Sequence, residues 1–450
     1  MWAEEMTMVK KKRKLRKKRV FMLCLMLIIG ISLLTRRCVS SCTSGHEEKT
    51  ADPSLSLPHL NDSITNAQCS GAAYHDMDSL VERYLKRWEI NGAQLIIMRN
   101  DSLLYARGFG FADREKGTAM QPNYLMRIAS VSKLVTAIGI MKLVEKKQLR
   151  MGDKVFGPKG ILNDTLYNNS IRDKRYFDIT VEQLLRHKAG FTNYAGDPMF
   201  STRYIMMQNH LSTPPDHNTL LRILLKRHLG FTPGEGKCYS NLGYMLLSMI
   251  IEKKSHMTYE DFMQKEVLQK AGCFDFHIAG TYLKDRRPNE TKYYMHQGSI
   301  PVYEYNNSGR MVEKCYGDND IPRLSGAGAW CASGIELARL IASVDGLPHV
   351  EDILSKQSVD FMTREQPDHD YSIGWNYTRN GQPWIRTGSL SGTSALVLHY
   401  PDGQSWILIT NTSTWKGHGF SSDSMAFFEK LRKKYVDSLP RQDLFTKANH

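Results

Sequence analysis

The chain has 450 residues, a formal net charge of +14, 41% hydrophobic residues, 10% aromatic and 24% charged. These are the proportions of an ordinary globular protein, and they exclude wholesale disorder, collagen-like repeats and polytopic membrane structure. The length allows two or three domains, or one large domain carrying an insertion.

The charge is unevenly placed. Nine of the ten residues at 10–19 are Lys or Arg, and residues 1–41 carry +9, leaving only +5 on the other 409. A basic patch of this kind can bind nucleic acid, but here it abuts residues 20–35, sixteen positions without a charge. Basic flank then apolar run is an export signal or signal-anchor, and positive-inside logic places the rest outside the cytoplasm. Val39-Ser40-Ser41-Cys42 resembles a bacterial lipobox, making Cys42 a lipidation candidate, although Arg36 and Arg37 intervene. Three readings stay open for residues 1–41: lipoprotein signal, uncleaved anchor and cleaved signal. Met8 is an alternative start. Residues 42–70 are expected to be a linker, and a membrane is the expected partner of the N-terminus. Nucleic acid is not an expected partner.

Further along, 76–90 has the periodicity of an amphipathic helix. Strand-like runs at 94–98 and 103–110 are joined by Arg99-Asn100-Asp101, a hairpin pattern. The middle is helical. Leu134, Ile138 and Met141 share a face in the run 134–149, and Thr180-x-x-Gln183 reads as a capping box. Helices are also expected at 241–254 and 258–271, with Ser333-x-x-Glu336 opening another. A second hairpin, 395–400 and 406–410 around Pro401-Asp402-Gly403, and a helix over 422–436 close the chain. Strands from both ends thus flank a helical middle. The expected fold is α+β: an antiparallel sheet flanked by helices, with an inserted mostly helical part. The five cysteines of the body, Cys69, Cys238, Cys273, Cys315 and Cys331, are scattered without CxxC or Cys/His pairing, so neither a zinc site nor a disulfide scaffold is expected.

Three short motifs carry chemistry. Ser130-Val131-Ser132-Lys133 opens the first buried helix, and residues three apart on a helix share a face, so Lys133 reaches the Ser130 hydroxyl. Tyr239-Ser240-Asn241 supplies a phenol whose pKa a neighbouring lysine lowers, and an amide that orients a carbonyl. Arg386-Thr387-Gly388-Ser389 puts a cation, a hydroxyl and a glycine at a strand edge. Each alone is weak, since Ser-x-x-Lys recurs by accident and the other two are common as helix cap and turn.

Order and context change that. The segments GAQLIIMRND, YARGFGFAD, RIASVSKLVTA, TVEQLLRHKAGF, FTPGEGKCYSNLGYMLL, GAGAWCASGIELARL, YSIGW and RTGSLSGTSALVLHYPDG follow one another as in the serine β-lactamase-like hydrolases. The resemblance is nearest to the class C β-lactamase, DD-peptidase and esterase branch, and covers about 75–435. It implies a β-lactamase/transpeptidase-like domain over 71–440, with its sheet part at about 71–128 and 275–440 and its helical part at about 129–274. It also implies Ser130 as acyl-accepting nucleophile, Lys133 as its activator, Tyr239 as proton shuttle and Asn241 as substrate contact, with the backbone N–H groups of Ser130 and Ser389 as oxyanion hole. His187 falls where the family histidine is mainly structural. Arg386 departs from the Lys or His usual at its position. Arginine is bulkier and cannot share a proton, which favours an acidic substrate and counts against ordinary penicillin hydrolysis.

The expected function is a cell-envelope serine hydrolase of a bacterium, first an esterase or acyltransferase on a small ester, amide or alcohol. The alternatives are a D,D-peptidase or D-aminopeptidase, a class C-like β-lactamase, and a non-catalytic sensor or binding module. Intact Ser130, Lys133 and Tyr239 argue against the last. No cofactor or metal is expected, and the partner is a small-molecule substrate with room for an acidic group near Arg386, Thr387 and Gly388.

Overall fold

The structure is a computed structural model that describes residues 59–447 apart from 297, 368–369 and 415–417. The basic run, the apolar run 20–35, Cys42 and most of the expected linker therefore lie outside the described residues. From His59 onward, however, the chain is not a linker. Leu60, Ile64 and Cys69 are buried, Thr65 and Gln68 form a capping box, and Asn61 joins Asp275 at 2.8 Å and Ser333 at 2.7 Å.

Six strands form one antiparallel sheet: β1 Gly92–Arg99, β2 Ser102–Asp113, β3 Thr118–Ala119, β4 Trp384–Leu390, β5 Thr393–His399 and β6 Gln404–Thr410, in the spatial order β4-β5-β6-β1-β2-β3. The two hairpins read from sequence lie side by side because β1 pairs with β6, Ile97 opposite Trp406. Alternation then assigns the two faces. Gln94 and Ile96 meet the start of the helix Gly334–Ala342, where Gly334 N–H donates to Gln94 Oε1 at 2.8 Å. On the opposite face Trp406 packs on Phe428 of the helix His418–Tyr435, with ring centroids 5.4 Å apart. That helix in turn holds His75–Arg87 through Tyr84 stacked on Phe427 and Trp88 donating to Asp423.

We number six helices in chain order: α1 His75–Arg87, α2 Ser132–Glu145, α3 Val181–Leu185, α4 Asn241–Ser255, α5 Gly334–Ala342 and α6 His418–Tyr435. α2 and α4 are apolar on nearly every side and form the centre of the helical part, so their packing is core packing all round. Two expected helices form with local differences. The helix predicted at 258–271 forms as one continuous run, but its hydrogen bonding changes along it, from an α-turn Tyr259–Met263 to a π-turn Gln264–Leu268 and a 3-10 turn Gln269–Ala271, with Gln264 spending its amide on Phe276 O. α5 opens at Ser333 as expected, but with a one-sided cap. Ser333 accepts from Glu336 N–H, but the Glu336 carboxylate turns away to accept from Phe274 and Asp275 N–H. All five cysteines among the described residues are free thiols. Among the described residues no helix is long and apolar enough to cross a membrane.

Candidate active site

Ser130 lies in the 3-10 turn Ala129–Val131 immediately before α2, not in the helix itself. The turn is tight: Ala129 holds φ +49°, a left-handed conformation that costs a residue with a Cβ. β4 presses against it. A Cβ on Gly388 would stand 2.4 Å from Ile128 O and 3.0 Å from Ser130 N, so only glycine lets the strand approach the nucleophile turn this closely.

Lys133, the second residue of α2, is fully buried. Its Nζ donates to Ser130 Oγ at 3.3 Å, Asn241 Oδ1 at 2.6 Å and Ala327 O at 2.5 Å. Tyr239 Oη donates to Ser130 Oγ at 2.7 Å from the other side. The Lys133 ammonium also lies 4.8 Å from the centre of the Tyr239 ring. Burial pushes the lysine down to about 8, aided by the Arg386 charge, against the opposing pull of Tyr239 and Asp197. For Tyr239, burial pushes the phenol up, but the Lys133 and Arg386 charges outweigh it and hold the phenol below its ordinary value. Lysine and tyrosine thus approach one another in acidity around one serine hydroxyl, the condition for passing a proton among the three.

The supports come from further along the chain. Thr180 and Gln183 cap α3 reciprocally, and α3 delivers His187, which stands at φ +58°. Its Nδ1 accepts from Ser240 N–H at 3.1 Å, and its ring lies 4.6 Å from that of Tyr239. Burial, then the Lys133 and Arg386 charges, holds His187 well below its ordinary pKa, so it is a neutral prop for the Tyr239 loop. Ser240 caps α4 by accepting from Gly243 N–H at 3.1 Å. Asn241, the first residue of α4, accepts from Lys133 and donates to Asp197 Oδ2 at 2.7 Å.

Arg386 is placed differently from the free cation the sequence reading expects. It is 1% exposed, and both its Nε, at 2.8 Å, and its Nη2 donate to Ser130 O. Its fork is spent on the backbone of the nucleophile, and its charge reaches the site through Tyr239 and Lys133 rather than as an open anion contact. Thr387 is half-buried with its N–H on Asn376 Oδ1 at 3.0 Å, and Ser389 is exposed at the mouth. Two residues of the site have no sequence signal that singles them out. Asp197, whose carboxylate anchors Asn241, reads only as an Asp-Pro turn cap. Tyr371 sits edge-on to His187 at 4.7 Å and 5.9 Å from Tyr239, and its only signal is membership of the YSIGW segment. Among the described residues one group of metal-ligand type occurs, His277, Glu290 and Cys331, and none of these touches Ser130, Lys133 or Tyr239.

This geometry can be set beside known proteins. Residues 77–424 match the family model described as Beta-lactamase. Penicillin-binding protein 4* of Bacillus subtilis is 26% identical over 343 residues, covering 72% of this chain and 69% of that protein. The flp protein of Staphylococcus aureus is 27% identical over 230 residues, covering 50% of this chain but only 42% of its own length. The D-amino acid amidase of Ochrobactrum anthropi SV3 has a similar fold, with a TM-score of 0.61 at 18% identity over 81% of this chain and 99% of that one.

Proposed function

Because the chain belongs to the beta-lactamase family of serine hydrolases, we propose that it transfers acyl groups through an ester on Ser130, acting first as an esterase or acyltransferase on a small ester or amide. The observation that carries this reading is the placement of Ser130 Oγ between Lys133 Nζ and Tyr239 Oη. In the acylation step Ser130 Oγ bonds to the substrate carbonyl carbon, and its proton passes to the Lys133–Tyr239 pair. The carbonyl oxygen takes up charge against the N–H groups of Ser130 and Ser389. Collapse breaks the bond to the leaving group, which receives the proton from Tyr239. Water or an alcohol then repeats the sequence in reverse and releases the acid or the new ester.

A second reading, D-aminopeptidase or D,D-peptidase activity, draws on the relatives: a penicillin-binding protein and a D-amino acid amidase are among them. Arg386 has Nε and Nη2 committed to Ser130 O, which leaves only Nη1 for a substrate group in either reading. We further propose that the N-terminal 41 residues carry the catalytic body outside the cytoplasm and tether it to the membrane, with Cys42 the candidate lipid site. Loss of membrane sedimentation in Cys42→Ala supports lipidation, and unchanged sedimentation leaves the apolar run as the anchor.

The central test uses the purified full chain with a fluorophosphonate probe and a panel of p-nitrophenyl esters and D-amino acid amides. Labelling is expected at Ser130, to be abolished by Ser130→Ala. Labelling that persists in that variant sinks the assignment. Ester turnover exceeding amide turnover supports the first reading, and the reverse order replaces it with the second.

A further inference from the structure

A buried set of unused ligating side chains lies beneath the nucleophile turn. His277, Glu290 and Cys331 are all buried and bring one ligand atom apiece within 4.8 Å of one another. They meet on a small antiparallel sheet in which Trp330–Ala332 is the centre, with Met126–Arg127 on one side and His277–Ile278 on the other. His277 stands directly opposite Cys331, so their side chains share a face.

The histidine tautomer points to a missing cation. His277 Nδ1 lies 3.2 Å from Asp275 O, and a carbonyl can only accept, so Nδ1 carries the proton. Nε2 has no hydrogen-bond partner, although the residue is only 4% exposed, and it faces Glu290 Oε2 at 3.8 Å. In a neutral imidazole this is a lone pair turned toward a carboxylate in a dry interior; the nearby Arg127 guanidinium favours the carboxylate's charge but spends Nη1 and Nη2 on Cys315 O and Gly280 O, so no positive charge bridges the two groups. A proton on Nε2 supplies that charge but sits too far from the carboxylate for a hydrogen bond. A tetrahedral zinc with arms of about 2.0–2.1 Å to nitrogen and oxygen sets those two ligands about 3.3 Å apart, so the 3.8 Å gap closes by about 0.5 Å on binding. Tyr293 closes the remaining side: its hydroxyl donates to Glu290 Oε1 at 2.7 Å and lies 3.8 Å from Cys331 Sγ. The Nδ1–H on a backbone carbonyl is the support that a metal-bound histidine ordinarily has.

We propose that His277 Nε2, a Glu290 carboxylate oxygen and Cys331 Sγ bind one zinc ion, with the Tyr293 hydroxyl beside it. On binding, the Cys331 thiol gives its proton to solvent and a Zn–S bond forms. One proton leaves per ion and nothing is oxidised or reduced. The mixed nitrogen, oxygen and sulfur set selects zinc over magnesium or calcium, which take oxygen. The role is structural. Ile128 N–H donates to Trp330 O at 3.0 Å and Trp330 N–H to Ser132 Oγ at 3.1 Å, so the strand carrying Cys331 is bonded on both sides of Ser130. Zinc would staple the platform from which the nucleophile turn rises.

The test is elemental analysis of the full chain, expressed in zinc-supplemented medium and dialysed against a chelator at neutral pH. A parallel preparation is made in cobalt(II)-supplemented medium. One zinc per chain is expected, with a thiolate-to-cobalt charge-transfer absorption in the cobalt protein. Cys331→Ser and His277→Gln should lose that absorption and bind zinc at least about tenfold more weakly, while Ser130→Ala keeps both. Should the first two variants fail to fold, ring-nitrogen NMR of the unaltered chain decides. A metal-shifted His277 Nε2 supports the proposal. Protons on both ring nitrogens in excess zinc chloride overturn it, as does a zinc content no higher than that of Cys331→Ser.

Discussion

At the scale of single residues, the site works by bringing two unlike acids to similar strength. Lys133 has no access to water and stands near the fixed charge of Arg386, so it surrenders its proton at about pH 8 instead of deep in the alkaline range. With the neutral amine as the proposed base, the rate of Ser130 acylation should rise with pH, most steeply near 8, and level off above it. Lys133→Arg should remove the rise and slow labelling by about 10²–10⁴-fold. Stopped-flow probe labelling from pH 6 to 10 checks both, and a rate that falls with pH would contradict the lysine–tyrosine pair as base. At the opposite wall, Gly388→Ala places a methyl against Ile128 O and Ser130 N, backbone atoms that cannot swing aside. The expected cost is about 1–3 kcal/mol in chemical denaturation, together with loss of labelling. Ser130, Lys133, Tyr239 and Asn241 were legible in the sequence because their motifs keep a recognisable order. The direction of the Arg386 side chain was not. Its acceptor is a carbonyl 256 positions away in the chain, and no local pattern encodes a partner at that distance. Asp197 was illegible for a different reason: an Asp-Pro cap looks the same whether or not its second oxygen holds the Asn241 amide.

At the scale of elements, short helices here are positioning devices. α3 is five residues long, too short to persist alone, and it depends on its Thr180–Gln183 box and on packing. Thr180→Ala should cost about 1 kcal/mol and, by loosening His187 under Tyr239, lower kcat more than it raises KM. Thermal denaturation and steady-state kinetics on the best ester measure the two effects. A change confined to stability would show that α3 does not position the phenol. The hairpins were legible as elements because alternation and turn residues agree: Asn100 and Asp101 adopt φ +48° and +64° at one tip, and Gly403 adopts φ +77° at the other. The stretch 258–271 was legible as a helix because its apolar spacing is helical throughout; the π-turn in its middle, where Gln264 donates to Phe276 O, leaves no mark in that spacing.

At the scale of the whole molecule, charge that looked like information about partners divides into two parts, a basic N-terminal run and a body carrying +5. The body's own pH response is expected to come from within. Burial pushes Glu336 up to about 8, outweighing the two backbone N–H groups it accepts from, while the ordinary value is 4.5. Between those two values the native state holds a proton that the unfolded chain has released, so stability should fall as pH rises through that window. Glu336→Gln keeps the acceptor and removes the titration. Burial also pushes Asp345 up to about 9 and Asp352 up to about 6, so the melting temperature of the variant should still fall from pH 5 to 8, but less steeply than that of the unaltered chain. Parallel slopes for the two proteins would assign the pH dependence to other groups. The α+β architecture was legible because strand-like runs cluster at both ends and helical periodicity fills the middle. The small sheet that joins Arg127, His277 and Cys331 was not, since strands of two or three residues leave no periodicity to read.

The close approach of Gly388 to the Ser130 turn has a consequence for how the protein comes into being. Ser130, Lys133 and Tyr239 all lie in the first part of the chain to be synthesised, but the strand that walls the nucleophile and the arginine that clamps its carbonyl arrive only near the end. A ribosome-bound or C-terminally clipped chain is therefore expected to carry Ser130, Lys133 and Tyr239 without the strand and the guanidinium that hold the Ser130 turn. The last hairpin is thus expected to complete the site, and a chain truncated before Trp384 is expected not to label with the serine probe.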